Sequence, residues 1–195
     1  MHVGVDGLAT MSGILADGTR FAQSAYVTAQ SDWPLYVSLY SAKGVVVSWL
    51  HFADLAGSDL SGTLVWVKQA GASATSYPAG FTNETTAVGS LYVPPAADAK
   101  VLNLSSAGLS FSGGDLGANF NNVVSVNTGS SVVNLSPNPL TLTFAPTLGS
   151  FTGQVAEPGT GVVHAFGGVV LQKQNAGAGF MSGVKTSSRV VLTAP

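Results

Sequence analysis

Side chains able to do chemistry are few in this 195-residue chain, and they are scattered. His2, His51 and His164 stand far apart, with no His-x-His or His-Glu-x-x-His spacing to put two imidazoles on one face. Zinc therefore has no sequence support. The absence of cysteine removes thiolate ligands, thiol nucleophiles and disulfides. Asp32, Asp54, Asp59, Asp115 and Glu157 all read as turn residues, where a carboxylate bonds nearby backbone N–H groups. A glycosidase needs two carboxylates across a cleft, one with a raised pKa. Nothing here announces such a pair, and Glu occurs only at positions 84 and 157. Asp54, Ser58 and Asp59 supply oxygens for a calcium loop, but their spacing is not that of an EF-hand, and an Asx-turn loop is the expectation. Serines are plentiful without a Gly-x-Ser-x-Gly elbow. Lys43, Lys68 and Lys100 are available for the spontaneous Lys–Asn isopeptide bonds known in surface proteins, yet no neighbouring residue singles one out. The expectation is a protein that is not an enzyme, with no catalytic residue, no cofactor and no metal. A hydrolase lacking a recognisable motif is the third reading.

Aromatic residues are the more promising resource. Trp33, Tyr36, Tyr40, Trp49 and Trp66 cluster in the first third of the chain. On an extended strand Tyr36 and Tyr40 project to one face, and Leu35, Val37 and Leu39 to the other. An exposed Tyr36–Tyr40 face beside Trp33 and Trp49 could stack against sugar rings. The competing expectation is that these large side chains fill a core, with each tyrosine hydroxyl at its edge. The candidate ligand-binding set is thus Trp33, Tyr36, Tyr40 and Trp49.

Composition limits the partners. Only 8% of residues are charged, against about 25% in an ordinary globular domain, and the net charge is −2 without a basic cluster. Nucleic acid is not expected as a partner. No run of about 18 apolar residues encodes a membrane helix, so membrane insertion is not expected. An outer-membrane barrel is disfavoured, because segments such as Val45-Val-Val47 are apolar on both faces and the tryptophans form no girdle. Few surface charges also give weak defence against association, so self-association is expected. The N-terminus reads as a strand already in progress, as expected of a segment of a longer protein with Met1 added ahead of it.

The elements that must hold these residues are strands. Alternation and turn residues dominate, predicting strands over 3–6, 8–15, 19–29, 33–40, 44–52 and 62–68, then 100–104, 109–113, 123–127, 140–144, 149–156, 162–172, 177–183 and 187–193. Asp17-Gly18 marks a hairpin turn. Prolines 78, 94 and 95 and a shift in composition make 69–98 an irregular connection packed on the body. The chain also echoes itself. Met11-Ser-Gly-Ile, Pro34–Tyr40, Lys43–Trp49 and Ser61–Val67 are matched in order by Phe151-Thr-Gly-Gln, Gly167–Gln172, Asn175–Phe180 and Ser188–Thr193. Gly13 and Gly153 occupy equivalent places, expected at corners or tight coiling. The fold expected is all-β: an antiparallel meander barrel, or two, built from a duplicated half, with a first copy over 1–68 and a second over 99–195, together one compact domain.

A set of words points further: Leu15-Ala-Asp-Gly-Thr, Trp33-Pro-Leu-Tyr-Val-Ser-Leu-Tyr40, Lys43-Gly, Trp49-Leu-His-Phe52, Asp59-Leu-Ser-Gly, Tyr77-Pro-Ala-Gly-Phe and Gly167–Phe180. They resemble the β-rich module near the C-termini of large exported multidomain bacterial proteins. The resemblance spans nearly the whole chain; Met181 departs from it, standing where a second aromatic is expected after Phe180. It carries no catalytic residue or ligand. It implies an extracellular or cell-surface location and further domains of a larger parent protein as partners. The function expected is a non-catalytic structural, anchoring or adhesion module, with a glycan- or polymer-binding module as the alternative.

Overall fold

Alternation decides which way each strand faces. In β2 (Leu8–Ile14) and β3 (Arg20–Tyr26) every second residue turns to solvent, leaving Ala9, Met11, Phe21 and Ala25 on the inner face. With β1 (His2–Val3) they form a three-stranded antiparallel sheet. A four-stranded meander follows: β4 (Asp32–Leu39), β5 (Gly44–Leu55), β6 (Ser58–Lys68) and β7 (Phe81–Gly89). This computed structural model describes residues 1–73 and 75–195, and they divide into two compact units, 1–89 and 90–195. Residue 74, within the expected connection, lies outside the described residues.

The core of the first unit gathers Ala9, Trp33, Leu35, Leu39, Val46 and Leu50. Each large side chain so buried contributes roughly 1.5–3 kcal/mol. The two sheets share no backbone ladder at β3 and β4, and side chains take its place. Gln23 donates Nε2–H to the Pro34 carbonyl at 2.6 Å and accepts the Tyr36 N–H at 2.7 Å. The buried Trp33 indole N–H is satisfied by the Ala25 carbonyl at 3.0 Å.

The second unit is one eight-stranded antiparallel sheet in the order β10-β9-β8-β15-β14-β13-β12-β11. Its strands are β8 (Ser106–Ser112), β9 (Phe120–Val126), β10 (Val132–Asn134), β11 (Leu140–Ala145), β12 (Ser150–Ala156), β13 (Val163–Leu171), β14 (Ala176–Met181) and β15 (Ser188–Thr193). The sheet curls into a nearly closed barrel around Leu109, Phe111, Val124, Phe151, Phe166, Val190 and Leu192. Between β10 and β11 the ladder stops and asparagines close the seam. Asn138 donates to Asn122 Oδ1 at 2.7 Å, Asn134 donates to the Asn138 carbonyl at 2.8 Å, and the Val123 N–H meets Ser136 Oγ at 2.7 Å. Asn122 is fully buried there.

The all-β meander is as expected, and the echoed words fall on β4–β5–β6 and on β13–β14–β15, consecutive antiparallel strands in both units. Gly13 and Gly153 each oppose a phenylalanine across the ladder, Phe21 and Phe166. A Cβ would stand 2.9 Å from the Phe21 ring in one case and 2.4 Å from the Phe166 ring in the other. The matched glycines thus make room for a cross-strand ring.

Two expectations fail. The connection 69–98 is not irregular throughout, because Phe81–Gly89 forms β7 and pairs with β6 along its length. This is an edge strand whose Thr82-Asn83-Glu84-Thr85-Thr86 stretch is exposed, so it lacks the apolar alternation of a half-buried strand. Conversely, 100–104 is not a strand. Val101 and Leu102 are both buried, which adjacent residues of a one-faced strand cannot be. Side chains satisfy that backbone instead: Ser130 Oγ accepts the Val101 N–H, and the Asn175 amide grips both N–H and C=O of Asn103.

Candidate functional site

Strand parity builds one open surface in the first unit. Along β4 and β5 the residues Trp33, Leu35, Leu39, Val46, Ser48 and Leu50 are buried. Their alternates, Tyr36 on β4 and Val47, Trp49 and His51 on β5, face solvent. The register sets Pro34 opposite Trp49, Tyr36 opposite Val47, and Asp32 opposite His51. Tyr36 and Trp49 are diagonal neighbours, a relation that brings aromatic side chains within reach at about 7–8 Å. They are 65% and 63% exposed, the largest aromatic area on this face. Gly62 lets β6 run close beside β5 at Trp49, since a Cβ there would meet the Trp49 carbonyl oxygen at 2.3 Å. At the end of the face the His51 imidazole lies 2.8 Å from Asp32. His51 is exposed and Asp32 only partly buried, so the pair adds little stability.

The other two members of the expected binding set are elsewhere. Trp33 is fully buried and belongs to the core. Tyr40 does not share the Tyr36 face. It lies just past β4 with φ 54°, followed by Ser41 at 54° and Ala42 at 67°, and this left-handed run breaks the alternation. Its ring packs over Gly44, where a Cβ would stand 2.5 Å from it.

Tyr40 instead joins a buried polar cluster. Its hydroxyl donates to Asp17 Oδ2 at 2.5 Å, and the Trp66 indole N–H donates to the Tyr40 oxygen at 3.1 Å. Lys68 Nζ lies 2.8 Å from the same Asp17 oxygen, and the two charged side chains are 1% and 0% exposed. Lys68 Nζ also sits 4.6 Å above the Tyr40 ring centre. Asp17 Oδ1 accepts the Thr19 N–H at 3.0 Å. Burial pushes the Asp17 carboxyl up, but hydrogen bonds from Lys68, Tyr40 and Thr19 outweigh it and hold the group below its ordinary value. Burial first, then the bond to Asp17 and its charge, push the Tyr40 phenol far above its usual range, so it stays a donor.

Asp54 and Asp59 flank a tight hairpin, because β5 and β6 pair up to Leu55 and Ser58. In the second unit His164 Nε2 is 3.5 Å from Glu157 Oε2 and makes no hydrogen bond. The Glu157 carboxyl is held low, chiefly by the Gly117 N–H and then the Thr160 hydroxyl, the opposite of a proton donor poised near neutrality. Asp115 is held down to about 2 by the Thr186 hydroxyl and the Lys185 and Thr186 N–H groups, which tie two loops together. Among the described residues no three His, Asp or Glu side chains gather to hold a metal ion.

Sequence reasoning picked out Tyr36 and Trp49 by type and parity. It missed Asp17, read only as a turn residue, and the Asn122–Asn134–Asn138 seam, whose one local signal is the Asn-Leu-Ser-Pro-Asn-Pro run from 134 to 139. No family model matches the chain, and neither does any curated protein or solved structure.

Proposed function

We propose that this chain is a non-catalytic module of an exported bacterial surface protein, serving adhesion or anchoring through the open face of β4 and β5. One observation carries the reading: Tyr36 and Trp49 stand exposed side by side on a sheet whose other face is tightly packed. A rigid scaffold that displays two large aromatic rings has already met the ordering cost of a contact surface. Low charge over both units is consistent with life in a crowded surface layer. A glycan or other extracellular polymer is the partner this face suits best. Sugar rings present C–H faces to aromatic rings, and the neighbouring Asp32–His51 pair offers hydrogen bonds to hydroxyl groups.

The test is retention on glycan arrays and on insoluble polysaccharides, comparing the full chain with Tyr36→Ala, Trp49→Ala and the double variant. Each single change should weaken retention about tenfold, the stacking loss of one ring. Stability should shift by less than about 0.5 kcal/mol, because both residues are exposed. A double variant retained as well as the parent would remove this face as the contact.

A further inference from the structure

We propose that Asp17 and Lys68 form an intramolecular isopeptide bond, a covalent brace between the β2–β3 hairpin and the end of β6. This inference does not depend on what the aromatic face binds. The geometry is that of a reactant pair. Lys68 Nζ is 2.8 Å from Asp17 Oδ2, and both side chains are closed to water. Holding amine and carboxyl together in a dry site lowers the entropic part of the barrier to amide formation.

The surrounding groups fit the steps. The resting state is the ion pair. The reaction starts from the minor neutral form of the pair: one proton moves along the 2.8 Å contact from Lys68 Nζ to Asp17 Oδ2, a step whose cost burial lowers, and leaves a neutral amine and a neutral acid. The nitrogen lone pair then attacks Cγ, and the carbonyl electrons move onto Oδ1. The Thr19 N–H, 3.0 Å from Oδ1, is placed to stabilise that developing oxyanion. The Cγ–Oδ2 bond breaks and Oδ2 leaves as water, taking a second proton from the nitrogen through the Tyr40 hydroxyl, which already bonds Oδ2. Ammonium plus carboxylate become one amide plus one water, with no redox change and no co-reactant.

A second observation singles out Tyr40. Three successive non-glycine residues, Tyr40, Ser41 and Ala42, hold left-handed backbone angles. Ser41 and Ala42 are the two central positions of the tight β4–β5 turn, closed by the Lys43 N–H on the Tyr40 carbonyl, where positive φ is normal; the departure is at Tyr40 itself. Here it turns the Tyr40 hydroxyl away from the open face and onto Asp17, with Gly44 making room for the ring and Trp66 fixing the oxygen.

Intact-mass spectrometry of the denatured full-length chain, after incubation at pH 7, tests the bond. The expected mass is about 18 Da below that of the sequence, the loss of one water, with a tryptic fragment joining the Asp17 and Lys68 peptides. Lys68→Arg and Asp17→Ala should show their full masses. Tyr40→Phe should slow the mass loss by about 100-fold, the usual scale of a positioned proton donor. A parent chain that keeps its full mass after days at pH 7 overturns the proposal, and this reading needs no variant to fold. A mass loss that persists in Lys68→Arg overturns the assignment to this pair, and an unslowed Tyr40→Phe overturns the role of Tyr40.

Discussion

The two units solve one problem with different chemistry. Each has a place where the backbone ladder ends and sheet edges must still be held together. The first unit uses charge: Asp17 on the β2–β3 turn meets Lys68 at the end of β6, with Tyr40 and Trp66 completing the cluster. The second uses neutral amides: Asn122 on β9 and Asn134 on β10 bond Asn138 in the β10–β11 connection, and Asn138 donates on to the Ala156 carbonyl of β12. A buried ion pair is directional and strongly held, but either partner left alone is costly. An amide network costs less to break at any one point, because what remains is an unpaired dipole. The arrangement that is more vulnerable to deletion is also the one able to convert to a covalent bond.

The sharpest way to break the comparison is to orphan the charge. Lys68→Met leaves a buried carboxylate without its amine and should destabilise the first unit by about 3–5 kcal/mol relative to the ion-paired chain, and by more relative to the cross-linked chain. All three tryptophans, at 33, 49 and 66, lie in that unit, so denaturant unfolding followed by tryptophan fluorescence reads it directly. A loss under about 1 kcal/mol would mean the pair is not closed to water as its burial indicates.

Removing an amide should cost less. Asn122→Ala strips hydrogen bonds from Asn134 and Asn138 and is expected to cost about 1–3 kcal/mol. The measurement is amide hydrogen exchange on peptides covering β9 and β10, which should open faster. Unchanged protection there would show that the seam is held by apolar packing alone.

The smallest effect concerns acid. Asp115 has a folded-state pKa lowered from 3.8 to about 2. Its contribution is therefore complete above 3.8 and fades as pH falls toward 2. The Lys185 and Thr186 amide signals in a nuclear magnetic resonance titration should move with a midpoint near 2. The Asn122 and Asn138 side-chain amide signals should stay put over the same range, since amides do not titrate. A midpoint for Lys185 and Thr186 at 3.8 would mean that Asp115 does not hold the two loops together.

What could be read in advance follows the same division between local and distant. The β4 and β5 faces are legible because period-two alternation of Leu35 and Leu39 against Tyr36 needs no partner to be recognised. Tyr40 misleads because strand parity ends one residue before it, at Leu39, where a left-handed run begins that no glycine announces. β7 hides because Thr, Asn and Glu on an edge give no apolar period, and 100–104 misleads because its apolar pair plugs a core while bent.

The sequence by itself determined the all-β class, the meander order echoed in both units, and the aromatic identity of the open face. These rest on alternation, turn chemistry and side-chain type, which are properties of neighbours along the chain. The tertiary structure alone decided that Trp33 and Tyr40 leave the candidate surface, that three asparagines close the second unit, and that Asp17 meets Lys68. Those two residues are 51 positions apart, and nothing in either neighbourhood specifies the other. Only the packing of the β2–β3 hairpin against the end of β6 excludes water from both, and that exclusion turns two ordinary charges into a reactive pair.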